Sequence, residues 1–173
     1  LYEGGLEYLF GIWGNLGDGG ADEFVPIWAH DRKQEKDAFE QLMRLFTAHL
    51  SRHPEAHIYH YAQYEPTALK RLAMCHATME AELDQMLRDR RFVDLYRVVR
   101  QGLRASTEGY SLKDLEKIYW DTRGGEVTTA ADSIVEYERW CVSREAAILN
   151  SIAAYNKHDC VSTAHMHRWL EKM

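Results

Sequence analysis

Between Leu6 and Ala29 apolar residues alternate with polar ones or run together as in strands; from Lys33 onward they recur mainly at helical spacing. That switch predicts a mixed α/β chain. Leu6 to Trp13 and Glu23 to Ala29 read as two strands, with Gly17-Asp18-Gly19-Gly20 as a hairpin turn. Lys33 to Arg52 places Phe39, Leu42, Met43, Phe46 and Leu50 on one helical face. Pro54 helps to end that helix, and Ala56 to Tyr61, rich in β-formers, reads as a short buried strand. A helix from Pro66, another from Glu80 to Arg88, a short strand at Phe92 to Asp94 and a helix holding Leu95, Val98, Val99 and Leu103 come next. Ser111, followed by Asp114, comes close to a capping-box pattern. Thr122 to Thr129, with Gly124-Gly125, reads as the main loop, and the last third is helical. The order fits an antiparallel hairpin, a crossover helix and a further strand in one sheet with helices on its faces. No repeat, low-complexity tract or linker interrupts residues 1–173, which read as a single domain.

The chemistry concentrates at two places in this pattern. Ala146 to Leu170 reads as a helix, so Tyr155 and Asp159, at i and i+4, emerge on one face and can reach one centre. A carboxylate suits a hard divalent cation, and a neighbouring phenol can hold a water in line for attack. Glu65 falls where the Ala56–Tyr61 strand turns into the next helix, on the rim where α/β folds place ligands. Taken singly, a surface aspartate is usually just solvated, and a first-turn glutamate ordinarily complements the helix dipole.

Together the two segments resemble a family. His60-Tyr61-Ala62-Gln63-Tyr64-Glu65 resembles the second motif of the DnaQ-like 3′–5′ exonucleases, whose usual form is H-N-x-x-F-D. Tyr155 to Asp159 resembles their third motif in its Y-x-x-x-D variant. Val93-Asp94-Leu95, the Gly109 to Leu115 segment and the opening Gly4 to Gly11 resemble the YprB-like branch, particularly members found with RecB-type nuclease and helicase domains. The resemblance covers nearly the whole chain. It implies an RNase H-like mixed sheet flanked by helices, with the first strand truncated. It also implies a metal-dependent nuclease using two Mg²⁺ or Mn²⁺ ions on a single-stranded nucleic-acid end. Glu65 and Asp159 would be metal ligands, Tyr155 would position the attacking water, and His60 and Tyr61 would line the substrate groove. Fused or associated RecB-type nuclease or helicase domains would be the protein partners.

Two departures stand against the family pattern. Glu65 occupies the aspartate position of the second motif, with Tyr61 in the asparagine position. The D-x-E of the first motif has no counterpart, and the pattern places it a few residues before Leu1, as expected for a domain excised from a larger protein. Natural loss of that motif would instead make the chain an inactive RNase H-like module that binds nucleic acid or docks a helicase. Asp18, Asp22, Glu23 and Glu7 do not reproduce the missing geometry.

Composition narrows the setting. A length of 173 residues with 46% hydrophobic residues suffices for one real core. Neither a membrane-length apolar run nor a signal-peptide pattern is present, and three cysteines without metal-type spacing predict buried thiols in a reducing, cytoplasmic compartment. A net charge of −6 is unusual for binding through phosphate neutralisation alone, although Arg88, Arg90, Arg91, Arg97, Arg100 and Arg104 can hold a strand as a group. The nine histidines match no zinc spacing, and His165 and His167 read as surface residues. The five tryptophans read as core.

Overall fold

The computed structural model describes residues 5–17, 20–120 and 130–173. The hairpin forms as the alternation predicts: β1 (Leu9–Gly14) pairs antiparallel with β2 (Glu23–Trp28), Leu9 opposite Trp28 and Gly14 opposite Glu23. Asp18 and Gly19 of the expected turn lie outside the described residues. Asn15 closes the base of this connection, donating through Nδ2 to the Gly20 carbonyl at 2.7 Å and accepting from the Gly17 N–H at 3.1 Å.

Helix α1 (Arg32–Arg52) starts at Asp31, whose carboxylate accepts from the Gln34 N–H at 2.8 Å and satisfies a donor that the first helical turn leaves open. Its stripe buries Phe39, Leu42 and Met43 against Ile27 of β2 and Leu69 and Leu72 of α2 (Tyr64–His76). Strand β3 (Ile58–His60) precedes α2, and α3 (Glu80–Arg88) follows it. Then come β4 (Phe92–Asp94), α4 (Leu95–Gly102) and α5 (Leu112–Tyr119). The capping box at Ser111 is present in full, with Asp114 bonding back to Ser111. The expected loop at Thr122 to Thr129 lies outside the described residues. Helices α6 (Ala130–Ser143) and α7 (Ala146–Leu170) complete the chain.

The strands depart from the single sheet expected from the sequence. Among the described residues they form two separate pairs, β1 with β2 and β3 with β4. β3 runs parallel to β4, Ile58 opposite Phe92 and His60 opposite Asp94. A parallel pair needs a long crossover, which α2 and α3 supply, so the partner of β3 lies downstream and not in the hairpin. The short run Phe92–Asp94 also confines β3 to Ile58–His60, within the longer Ala56–Tyr61 expected.

Helix α7 binds the halves together by packing against both β1 and β3. Its close approach to β1 depends on Gly11, where a Cβ would fall 1.7 Å from the Asn156 Oδ1. On its other faces α7 buries Ile148 and Ile152 with Tyr137 and Trp140 of α6, and Met166 with Leu95, Val99 and Leu115. Some smaller expectations change. Cys75 and Cys141 are exposed, because neither falls on the buried face of its helix, and Cys160 is half-buried. His165 stacks on Trp120 at 4.7 Å and His167 lies 3.8 Å from the Tyr59 ring, so both are half-buried aromatic partners and not free surface residues.

Candidate active site

The position of Glu65 is set by a corner built from three segments. β3 ends at His60, Ala62 adopts a left-handed conformation with φ of 71°, and α2 begins at Tyr64. The left-handed turn is unfavourable for alanine and needs a holder. Asp94, at the end of β4, supplies it. Its Oδ1 accepts from the Ala62 N–H at 2.9 Å and the Tyr96 N–H at 3.0 Å, while Oδ2 accepts from Gln63 Nε2 at 3.0 Å. One aspartate therefore caps α4 and fixes the turn that aims Glu65. The sequence gives Asp94 no role beyond the end of a short strand and a linking segment; the one local sign of its role is its position immediately before an apolar helix.

Tyr155 and Asp159 emerge from one face of α7, as their spacing predicts. The two lie close enough for the phenol and the carboxylate to shift each other's proton affinity. They line a cavity of about 960 Å³ together with Glu7, Tyr64, Arg71 and Asn156. Glu65 does not line this cavity itself; it follows Tyr64, which does, and it feels the charges of Asp94 and Asp159. A smaller cavity of about 420 Å³ between α1 and α3 contains none of the expected site residues.

Proton affinities mark this region as electrostatically unusual. Removal from water pushes the Glu65 carboxyl up to about 7, with the charges of Asp94 and Asp159 adding to the rise against an opposing backbone N–H. The side chain is still 50% exposed, which puts it at an open rim and not in a sealed interior. Asp159 is also raised, again by desolvation, although the Tyr155 hydroxyl and the nearby Lys113 and His158 pull the other way. Lys113 sits over the Tyr155 ring, 5.2 Å from its centre. Burial and the adjoining Asp159 carboxylate push the Tyr155 phenol up to about 12, so it keeps its proton at neutral pH.

The other two residues expected to line a groove are engaged in internal contacts. His60 is buried and its Nδ1 meets the Ala62 carbonyl at 2.6 Å, which assigns the proton to that nitrogen. Its ring also lies 3.7 Å from Glu65, and desolvation lowers its pKa, which favours the neutral form. Tyr61 donates its hydroxyl to the Tyr110 carbonyl and packs edge-on against Tyr96. The structure thus brings Tyr155, Asp159 and Glu65 into one region while using His60 and Tyr61 as supports beneath it. His158 turns away from the cavity, stacking on Trp120 at 4.8 Å with its Nε2 3.5 Å from the buried Glu116.

As a donor set, Glu65 and Asp159 are two acidic side chains held within range of each other's field. Among the described residues no group of three or more His, Cys, Asp or Glu side chains forms a ready-made metal cluster. Two carboxylates nevertheless suit Mg²⁺ or Mn²⁺, since Mg²⁺ is commonly held by one or two carboxylates plus water and substrate phosphate oxygens.

The α/β scaffold presents a phenol–carboxylate pair at an acidic cavity with a second carboxylate nearby. The family comparison is more specific: a family model described as RNase H superfamily (RNase_H_2) matches residues 1–171, and the chain belongs to that superfamily. Its mixed α/β architecture agrees with an RNase H-like fold. The superfamily suggests nuclease-type activity, nucleic acid as partner and divalent metals as general cofactors. No curated protein and no solved structure matches the chain. No described helix is long and apolar enough to cross a membrane.

Proposed function

We propose that this protein is a metal-dependent nuclease of the DnaQ-like, YprB-type branch, acting as a 3′–5′ exonuclease on single-stranded ends of DNA or RNA. The observation that carries the reading is that Glu65, at the β3–α2 corner, feels the charge of Asp159 from the Tyr155–Asp159 pair of α7. Two carboxylates with raised proton affinity, one of them raised in part by the other's charge, are poised to take up a cation. A bound pair of divalent metals would supply an activated water and stabilise the leaving oxygen.

The chain's own groups have distinct parts in this proposal. Glu65 and Asp159 would hold the cation. Tyr155, protonated at neutral pH, uses its hydroxyl to orient Asp159 and the incoming water; its raised pKa makes it a positioning donor and not a general base. His60 and Asp94 keep the corner that carries Glu65 in place. We take residues 1–173 as one catalytic domain serving fused or associated RecB-type nuclease or helicase domains in the cytoplasm.

The test is Mn²⁺-dependent digestion of 3′- and 5′-labelled single strands by the full-length polypeptide, beside its Asp159→Asn variant. Stepwise loss from the 3′ end is expected from the wild type. The variant should lose several kcal/mol of transition-state stabilisation, on the order of a thousandfold in rate, with an unchanged melting temperature. Wild-type rates in Asp159→Asn would overturn the assignment. Two folded proteins that bind strands but cut neither would identify a binding module.

A further inference from the structure

We propose that Arg71 is a phosphate-binding residue of the cavity, held ready by Glu7, and that its ligand is the phosphate of a nucleotide. The assignment of a nucleotide ligand rests on the nuclease reading above; the presence of an anion hook rests on the cavity itself.

The cavity shared by Tyr155 and Asp159 is acidic, since Glu7, Glu138 and Asp159 all line it. Arg71 is the only Lys or Arg among its described lining residues. His30 also lines it, but desolvation and the neighbouring Arg144 lower its pKa and favour the uncharged ring. A phosphate entering this space from the solvent therefore meets one side-chain cation of the wall. That cation is reachable, with 32% of the Arg71 side chain exposed.

Its geometry resembles a latch more than a structural ion pair. Among the described residues Arg71 Nη2 donates to Glu7 Oε1 at 2.5 Å, which occupies only part of a planar fork suited to two parallel bonds with a phosphate. Glu7 does not depend on Arg71 for its own place. Its Oε2 accepts from the Tyr64 hydroxyl at 2.8 Å, and its backbone N–H donates to the fully buried Glu35 at 2.7 Å. Glu35 is held in turn by Arg32 at 2.7 Å and by His76, at the end of α2, at 2.9 Å. Glu7 is thus fastened through backbone and side chain to both ends of α2, and it keeps the guanidinium pointed along the cavity wall. A phosphate with two acceptor oxygens can take the remaining donors, or displace Glu7 without loosening the segment that carries it.

The experiment measures affinity at several salt concentrations, with Ca²⁺ in place of Mn²⁺. The probes are a fluorescent single-stranded oligonucleotide, a nucleoside 5′-monophosphate and the unphosphorylated nucleoside. Arg71→Ala should weaken the two phosphate-bearing probes roughly ten- to a hundredfold, the range for a lost charge-assisted contact. It should also reduce the slope of log affinity against log salt for the oligonucleotide by about 0.7, a change that a merely structural role would not produce. Arg71→Lys keeps the charge without the fork and should fall between wild type and alanine. Glu7→Gln removes the competing carboxylate and should tighten phosphate binding a few-fold. A loss confined to the monophosphate would assign the site to a terminal phosphate, and one confined to the oligonucleotide to an internal phosphodiester; either supports the proposal.

Wild-type affinity in both Arg71 variants would overturn it, as would an equal loss for the unphosphorylated nucleoside. Should both variants unfold, unchanged or weaker phosphate binding by Glu7→Gln overturns it. Arg71-dependent binding by a wild type that digests neither labelled strand would retire the nuclease reading and leave the phosphate assignment standing.

Discussion

Glu35 and Glu65 show two opposite ways of keeping a carboxylate in this fold. Glu35 is fully buried, yet its pKa is lowered. Burial alone would raise it, but the Glu7 N–H, Arg32 and His76 together outweigh that effect and favour the charge. Glu65 is half exposed, yet its carboxyl is pushed up to about 7, because it loses solvent and feels the carboxylate charges of Asp94 and Asp159. Partners, more than depth, decide which way a carboxylate shifts. The satisfied one ties α1, α2 and the segment before β1 together; the frustrated one lies where a cation could relieve it.

The sharpest break of this contrast is Glu35→Gln. The substitution leaves Arg32, His76 and the Glu7 N–H facing a neutral amide. It should cost about 3 kcal/mol of folding stability in urea denaturation, the low end for breaking a buried ion pair because Arg32 keeps some water contact. A loss below about 0.5 kcal/mol, the scale of an ordinary surface change, would show that the network is incidental. Tyr155→Phe acts on the other side of the comparison. It removes only the hydroxyl that supports Asp159, so cleavage should fall roughly tenfold at unchanged stability, the lower range for losing a partner of a metal-holding side chain. An unaltered rate would remove Tyr155 from the mechanism.

The smallest effect is the pH dependence, and its sign differs between the two sites. Glu35 has a lowered folded pKa, so its contribution is present above the usual glutamate value of 4.5 and is lost as pH falls through the lower, folded value. Glu65 has a raised folded pKa, so its contribution is present below 4.5 and is lost as pH rises through about 7. Without divalent cations, Glu35→Gln should therefore flatten the acid limb of a melting-temperature profile. Glu65→Gln should flatten the decline between pH 5 and pH 8. The same limb flattened by both variants would show that the two carboxylates are not electrostatically distinct.

The helices were legible because each buries a face that recurs at helical spacing. Phe39, Leu42 and Met43 of α1, and Ile148 and Ile152 of α7, are core residues in the structure. The i, i+4 pairing of Tyr155 and Asp159 was legible for the same local reason, as was the capping box at Ser111. Glu65 was readable as a corner residue, but its approach to Asp159 entered only through the family resemblance. The contacts that hold the site were not readable. Asp94 reaches Ala62 across 32 residues of chain, and Arg71 reaches Glu7 across 64.

Local chemistry along the chain determined which segments form helices and strands, which faces are apolar and which side chains share a turn of α7, because those properties depend on neighbours a few residues away. Tertiary structure alone decided that β3 pairs with β4, that Gly11 lets α7 seat on β1, and that one glutamate is held by Arg32, His76 and a backbone N–H while another feels the charges of carboxylates. Those outcomes depend on distances between segments brought together by packing, and the field at a carboxylate is the sum of charges that no local spacing records.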